Sequence, residues 1–205
     1  MDRIEYQIIS SLLNKETSIW KLIDLQDASL PEFFEKLKKM EEKGLIEIKN
    51  GRVTITEKGR NLVKLKREEM KCPECDGTGY EILKEIKRDY EKIVQNRPLP
   101  IEKYDQGYIS IDGVLRRVSF MMERGDLHAN IFVIGDDDFF SIASALTYVP
   151  KKIVAIDIDE RVINFINKIA EEYSLKIEGH VLDLQKENKD LLHKFDVFIT
   201  DPVET

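Results

Sequence analysis

Four apolar runs after residue 130 alternate with helix-patterned stretches, and every run leads into an acid. NIFVIG is followed by Asp136, Asp137 and Asp138. KKIVAIDID ends in Asp157 and Asp159, KIEGHVLDL holds Asp183, and KFDVFITDPVET holds Asp201. Short continuous apolar runs, spaced by DDDFFSIASALTYV and ERVINFINKIAEEYS, read as buried strands between helices. That alternation predicts a parallel, doubly wound α/β sheet over residues 101–205. In such sheets ligands bind at the carboxyl ends of the strands. The acids at those ends predict one anionic pocket rather than scattered surface charge.

The first 70 residues follow another pattern. Ile4, Ile8, Ile9 and Leu12 share one helical face. SIWKLIDLQ predicts a second helix with Ser18 as N-cap, and SLPEFFEKLKKMEEKG a third, running from Pro31 to Gly44. LIEIKNGRVTIT predicts two strands around an Asn50-Gly51 turn, and Thr56 suits the cap of a closing helix. Three helices, a hairpin and a helix predict a winged helix-turn-helix-like domain over residues 1–70. Its third helix sets Glu32, Glu35, Glu41 and Glu42 against Lys36, Lys38, Lys39 and Lys43. Non-specific DNA affinity needs a basic surface. DNA binding is therefore not expected, and a packing or dimerising role in a homodimer is.

Residues 71–100 read as a CxxC turn and a linking helix, EILKEIKRDYEKIVQN, broken by Pro98 and Pro100. Cys72 and Cys75 have a spacing at which two thiolates can grip one metal, but a closed structural site takes four ligands. There is no second CxxC, and His128, His180 and His193 are distant in sequence. A Gly-rich turn with two reduced thiols and no metal is the expectation. KYDQGYISIDGVLRRVSFMMERGD then predicts turns at Gly107 and Gly113 and a helix from about 113 to 124.

Charge sharpens the division. Residues 1–70 hold 14 Lys/Arg against 13 Asp/Glu, whereas residues 71–205 hold 18 against 26. The acidic part repels nucleic acid and attracts cations. No apolar run approaches the ~20 residues of a membrane span. The opening MDRIEYQIIS lacks the basic-then-apolar build of a signal peptide, so a cytoplasmic protein without a membrane partner is expected. Abundant Lys and Glu with few Asn and Gln lean towards a heat-adapted source.

Gly135 and Asp157 are 22 residues apart. An acid about 20 residues beyond the first turn typically accepts from ribose hydroxyls, so Asp157 or Asp159 suits a ribose. Asp159 also precedes ERVINF as a candidate N-cap. Asp183 suits an adenine amino group, or is a plain loop aspartate. The arrangement resembles the class I methyltransferase fold, which binds S-adenosylmethionine beside a glycine-rich first loop. GDDDFF departs from that pattern, and its acids would meet the cofactor's carboxylate with like charge. One such pair at 4 Å costs about 4 kcal/mol at an effective dielectric of ~20. Decarboxylated S-adenosylmethionine, with only an ammonium and a sulfonium, reverses the sign. DPVET resembles the Asp-Pro motif with which amino-group methyltransferases hold a target nitrogen, and Glu204 adds a further acid.

RPLPIEKYDQGYIS, GDDDFFSIASALT, AIDIDERVINFI and FDVFITDPVET together resemble the branched-chain polyamine synthases, or bis(aminopropyl)spermidine synthases. The resemblance implies a winged-helix domain joined to a Rossmann-like catalytic domain. It implies transfer of aminopropyl groups from decarboxylated S-adenosylmethionine, as co-substrate, to the secondary amine of spermidine. It places Asp136, Asp137 and Asp138 in the active site, Asp138 being the preferred base. Gly135, Gln106, Asp157, Asp159 and Asp183 would hold the co-substrate, and Asp201, Glu204, Tyr104 and Asp105 the polyamine. Two departures, DPVET for a motif with a second proline and YIS where threonine is common, are expected to be tolerated. A methyltransferase-type sheet has about seven strands and four are read here, so a sheet shortened after its fourth strand is expected. Two other readings fit the pattern: an S-adenosylmethionine-dependent methyltransferase with an unusual first loop, and a polyamine-sensing winged-helix regulator.

Overall fold

The computed structural model describes residues 1–13, 15–26, 28–63, 84–183, 191 and 193–200. The chain divides into two compact units, the first built on Met1–Glu69 with Glu123–Gly125 and the second on Met70–Met122 with Asp126–Thr205, each described through those residues alone.

The first unit runs α1 (Arg3–Leu12), β1 (Thr17–Ser18), α2 (Ile19–Asp24), α3 (Leu30–Glu42), β2 (Ile46–Lys49), β3 (Arg52–Ile55) and α4 (Glu57–Arg60). Local chemistry sets most of these boundaries. Asp2 and Glu5 form a reciprocal capping box at α1. Ser18 caps α2 by accepting from Lys21 N, and Thr56 caps α4 by accepting from Gly59 N. Asn50 and Gly51, with φ of 51° and 73°, turn β2 into β3 as the Asn-Gly pair predicts. The predicted Pro31 start is one residue late: Ser29 is the N-cap and Leu30 the first helical residue. Ile8, Ile9, Leu12, Leu22, Phe33, Leu37 and Met40 pack with Leu45, Ile46 and Val53 into one core. The sheet also has a strand the sequence pattern did not announce. β1 pairs antiparallel with β3 through Thr17 and Ser18, giving the order β1-β3-β2.

The second unit runs α5 (Lys84–Val94), a 3₁₀ turn (Glu102–Tyr104), α6 (Ile111–Arg124), β4 (Asn130–Ile134), α7 (Phe140–Ala145), β5 (Lys152–Asp157), α8 (Glu160–Glu172), β6 (Ile177–Val181) and β7 (Val197–Thr200). The four predicted strands form one parallel sheet in the order β6-β5-β4-β7. The chain steps outward from β4 to β5 and β6, then returns to the other side of β4. The strand order therefore reverses at β4, which puts the switch-point crevice at the carboxyl ends of β4 and β7. β5 is central, and its Ile153, Val154, Ala155 and Ile156 are buried, as expected for a strand covered on both faces. β7 is less covered, with Phe198 69 % exposed. α8 turns Val162, Ile163, Ile166 and Ile169 inward. Its Asn167 exchanges two hydrogen bonds with the backbone of Gly179 on β6, at 3.0 and 2.8 Å.

Two local expectations change. Gly113 does not form a turn but lies inside α6. Ser110 Oγ accepts from Gly113 N at 3.0 Å, so the helix is capped before the glycine. α5, expected as a linking helix, packs against α7 within the second unit and buries Ile86, Tyr90, Ile93 and Val94. Cys72, Cys75, Asp201 and Glu204 lie outside the described residues.

Candidate active site

The loop after β4 gives each of its three aspartates a different environment. Gly135 leaves the strand with φ 67°, and Phe139 re-enters the fold with φ 57°, fully buried, its ring edge-on to Phe165. Between these left-handed residues the chain turns tightly. Asp136 is 1 % exposed, and both its oxygens lie within 3.3 Å of Ser141 N at the start of α7. Burial pushes its carboxyl up to about 7, against the opposing pull of the hydrogen bonds it accepts. Asp137 is half-buried and accepts from Gly107 N at 3.0 Å. Asp138 Oδ1 accepts from Ile109 N at 2.9 Å, and Arg117 Nη1 lies 3.4 Å from Oδ2. The Asp138 carbonyl accepts from the hydroxyl of Tyr90 at 2.7 Å. Burial, followed by the charges of Asp136 and Asp138, raises the Tyr90 phenol far above its ordinary range, so it stays a donor.

The acids after β5 divide the two tasks that the sequence left open. Asp159 is the N-cap of α8. It takes Arg161 N and Nε on Oδ1, at 2.9 and 3.1 Å, and Arg161 Nη2 and Gln106 Nε2 on Oδ2, at 2.6 and 3.0 Å. A carboxylate offers about four acceptor sites, so these four donors saturate it. The Arg161 side chain is the largest cause holding it down to about 2. Asp157 accepts one main-chain amide on each oxygen, Asp159 N at 2.8 Å and Asp136 N at 3.2 Å. Among the described residues no other donor is recorded for Asp157, which leaves one acceptor site on each oxygen, a geometry that suits a vicinal diol. Burial raises the Asp157 pKa, opposed by those two amides.

A strap over residues 97–109 closes against both loops. Gln106 Oε1 accepts from Ile101 N at 2.9 Å while its Nε2 reaches Asp159. Gly107 and Ile109, two residues apart, aim their amides at Asp137 and Asp138. Extended backbone presents alternate groups to the same side, which is why residues 107 and 109 act together. The Tyr108 hydroxyl donates to the Pro98 carbonyl, and Arg97 lies 3.4 Å over the Tyr108 ring. Tyr104 is half-buried in the 3₁₀ turn, and Asp105 is exposed with φ 51° as the residue that ends it. Asp183 is half-buried two residues beyond β6, whose last residue Val181 pairs with Asp157.

The structure thus brings Asp136, Asp137, Asp138, Asp157, Asp159 and Gln106 into one hydrogen-bonded cluster. It adds Tyr90, Arg117 and Arg161, which the sequence did not single out. Arg161 carried a local signal, standing two residues after an acid at a helix start. Tyr90 and Arg117 carried none, because they sit 48 and 21 residues from Asp138.

A parallel sheet with this strand order and an acidic loop at its switch point defines a Rossmann-like α/β protein. Residues 85–205 match the family model of the branched-chain polyamine synthase A C-terminal domain, and the chain belongs to that family. It is 38 % identical over 213 residues to the N(4)-bis(aminopropyl)spermidine synthase of Methanocaldococcus jannaschii, covering 100 % of this chain and 60 % of the relative. It is 37 % identical over 206 residues to the enzyme of the same name from Thermococcus kodakarensis, covering 96 % and 59 %. The crystal structure of the branched-chain polyamine synthase from Thermus thermophilus, in complex with N4-aminopropylspermidine and 5'-methylthioadenosine, superposes with a TM-score of 0.61 at 27 % identity. That match covers 99 % of this chain and 59 % of the other. The chain therefore spans about three-fifths of the length of these relatives.

Proposed function

We propose that this chain carries the aminopropyl-transfer site of a branched-chain polyamine synthase. The observation that carries the reading is the run Asp136-Asp137-Asp138 at the switch point of the sheet, tied down by the strap amides. A cofactor carboxylate would be repelled there, and an ammonium and a sulfonium attracted. Decarboxylated S-adenosylmethionine is accordingly the co-substrate and spermidine the acceptor, in keeping with the product and polyamine named with the Thermus thermophilus complex. The fold is then of the class I methyltransferase type. Asp157, with one acceptor site left on each oxygen, takes the ribose hydroxyls, and Asp183 the adenine amino group. Asp159 and Gln106 anchor the strap over the co-substrate beside Gly135. Tyr104, Asp105, Asp201 and Glu204 hold the polyamine.

In the reaction a neutral amine attacks the propyl carbon beside the sulfonium, and methylthioadenosine leaves. In this reading Asp138 takes the proton. Fixing both partners in line supplies much of the remaining rate. The first unit is a winged-helix domain that serves packing or a homodimer rather than DNA, given the balanced charge of α3. We place the protein in the cytoplasm; no helix of the described residues is long and apolar enough to cross a membrane. The test is to incubate the folded chain with decarboxylated S-adenosylmethionine and spermidine and to follow methylthioadenosine and branched polyamine by mass spectrometry. Turnover with the decarboxylated but not the intact co-substrate is expected. Methyl transfer from the intact form, or no product from a folded sample, would overturn the reading.

A further inference from the structure

Gln106 joins three segments of the second unit. Its side chain and main chain both close on Ile101: Oε1 accepts from Ile101 N at 2.9 Å, and Gln106 N donates to the Ile101 carbonyl at 3.5 Å. Tyr104 N and Asp105 N complete the turn on the carbonyls of Ile101 and Glu102, at 3.0 and 2.9 Å. Residues 101–106 are thus a closed loop, tightened where Asp105 takes φ 51°. From that loop Gln106 Nε2 reaches Asp159 Oδ2 at 3.0 Å, across 53 residues of chain. The post it meets is firmly set. Asp159 caps α8 and holds the Arg161 side chain through both oxygens, in the paired geometry a guanidinium favours, and is itself 4 % exposed.

One and three residues further on, Gly107 N and Ile109 N donate to Asp137 and Asp138 on the neighbouring loop, at 3.0 and 2.9 Å. We propose that Gln106 is a positioning residue: by latching the strap to Asp159, it sets the register in which the Gly107 and Ile109 amides meet the acids of the reaction. The inference rests on the aminopropyl-transfer reading. In it Gln106 acts through the strap and not as a ligand of the co-substrate. Asp137 and Asp138 have other interactions as well, Arg117 on Asp138 among them. What Gln106 controls is where the two strap donors stand against them.

Few side chains make this span. A primary amide accepts on one atom and donates on another, in one plane and without charge. A glutamate here would keep the acceptor for Ile101 N but set a carboxylate against that of Asp159, and like charges repel. Methionine keeps the length and offers neither group. The latch is also separable from the place read for the ribose. Asp157 takes its two amides from Asp159 and Asp136, not from Gln106.

Two measurements on the chain test this: hydrogen exchange at the Gly107 and Ile109 amides by NMR, and kcat beside the Kd for 5'-methylthioadenosine. Gln106→Met is expected to speed exchange at both amides by roughly tenfold, the scale of one hydrogen bond lost. Its kcat should fall on the order of tenfold to a hundredfold, with methylthioadenosine affinity unchanged. Gln106→Glu and Asp159→Asn each set like groups face to face and should lose kcat in the same way. Combined, Gln106→Glu with Asp159→Asn restores a donor facing an acceptor, in the reverse direction, and Asn caps a helix as well as Asp. The double variant is expected to exceed both single variants in kcat, the mark of a direct coupling. Unchanged exchange in Gln106→Met, methylthioadenosine affinity falling in step with kcat, or a double variant no better than the singles would overturn the role of Gln106 while leaving the enzyme reading intact. No product from the folded wild type would overturn the aminopropyl reading, and this role with it.

Discussion

The amide of Ile109 donates to Asp138 Oδ1 at 2.9 Å, and this bond joins a strap to a strand-end loop 29 residues away. Gly107 repeats the contact one step earlier, on Asp137. The acids of the loop are thus oriented by main-chain donors that any residue but proline provides.

That dependence makes Gly107 a clean probe. A Cβ there meets nothing within 4 Å, so Gly107→Ala should leave stability within about 0.5 kcal/mol and activity near wild type. Gly107→Pro deletes the donor. A hydrogen bond to a charged group contributes roughly 1.5–3 kcal/mol, less here because the site is partly exposed. We expect a loss of about 1 kcal/mol in urea unfolding. Aminopropyl transfer should fall on the order of a hundredfold, the scale for ångström-sized misplacement of a catalytic group.

Tyr90 is fully buried, and its hydroxyl satisfies the Asp138 carbonyl. Tyr90→Phe keeps the ring and strands that carbonyl, which should cost about 1–3 kcal/mol. Hydrogen exchange on the loop should speed up in the variant. An unchanged unfolding midpoint would show that another donor takes over.

Asp136 has a folded pKa of about 7, above its ordinary 3.8, because burial disfavours the charge. Its contribution to stability is complete below about pH 4 and is lost as pH rises through 7. Asp136→Asn keeps the acceptor for Ser141 N without the ionisation. The variant should gain on the wild type steadily between pH 4 and 7, reaching a few kcal/mol by pH 8 at ~1.4 kcal/mol per pKa unit. Chemical unfolding of both proteins across that range tests this, and parallel curves would contradict it.

Asp159 has the opposite sign. Its folded pKa of about 2 lies below 3.8, first because of the Arg161 side chain. Its stabilisation is present above about pH 4 and is lost as pH falls through 2. Arg161→Met should therefore move acid unfolding to higher pH. Asp159→Ala also loses the N-cap of α8 and should cost about 0.5–2 kcal/mol at neutral pH. Circular dichroism on acid titration checks both.

Much of this was legible without coordinates, because short-range chemistry carries it. Ser18, Thr56, the Asn50-Gly51 turn and the four strand runs are local patterns, and each appears where its residues demand. Strand ends of a parallel sheet share one edge by topology, so the acids after β4 and β5 could be read as neighbours. The misreadings are local too. A two-residue strand such as β1 has no period to detect, and Gly113 looks like a turn until Ser110 caps the helix ahead of it.

The amino-acid sequence by itself determined the parallel sheet and the acidic loop that follows its first strand, since periodicity and capping need no partner. Tertiary structure alone decided what each acid does. Asp136, Asp137 and Asp138 are the same residue three times over, yet burial, the Gly107 amide and the Ile109–Arg117 pair make them different groups. Likewise, among the described residues, Asp157 accepts only two amides while Asp159 takes four donors, because Gln106 and Arg161 reach only the latter. Arg161 apart, which stands two residues from Asp159, those distinctions come from desolvation and from donors brought in across 21 to 53 residues of chain, which no local pattern encodes.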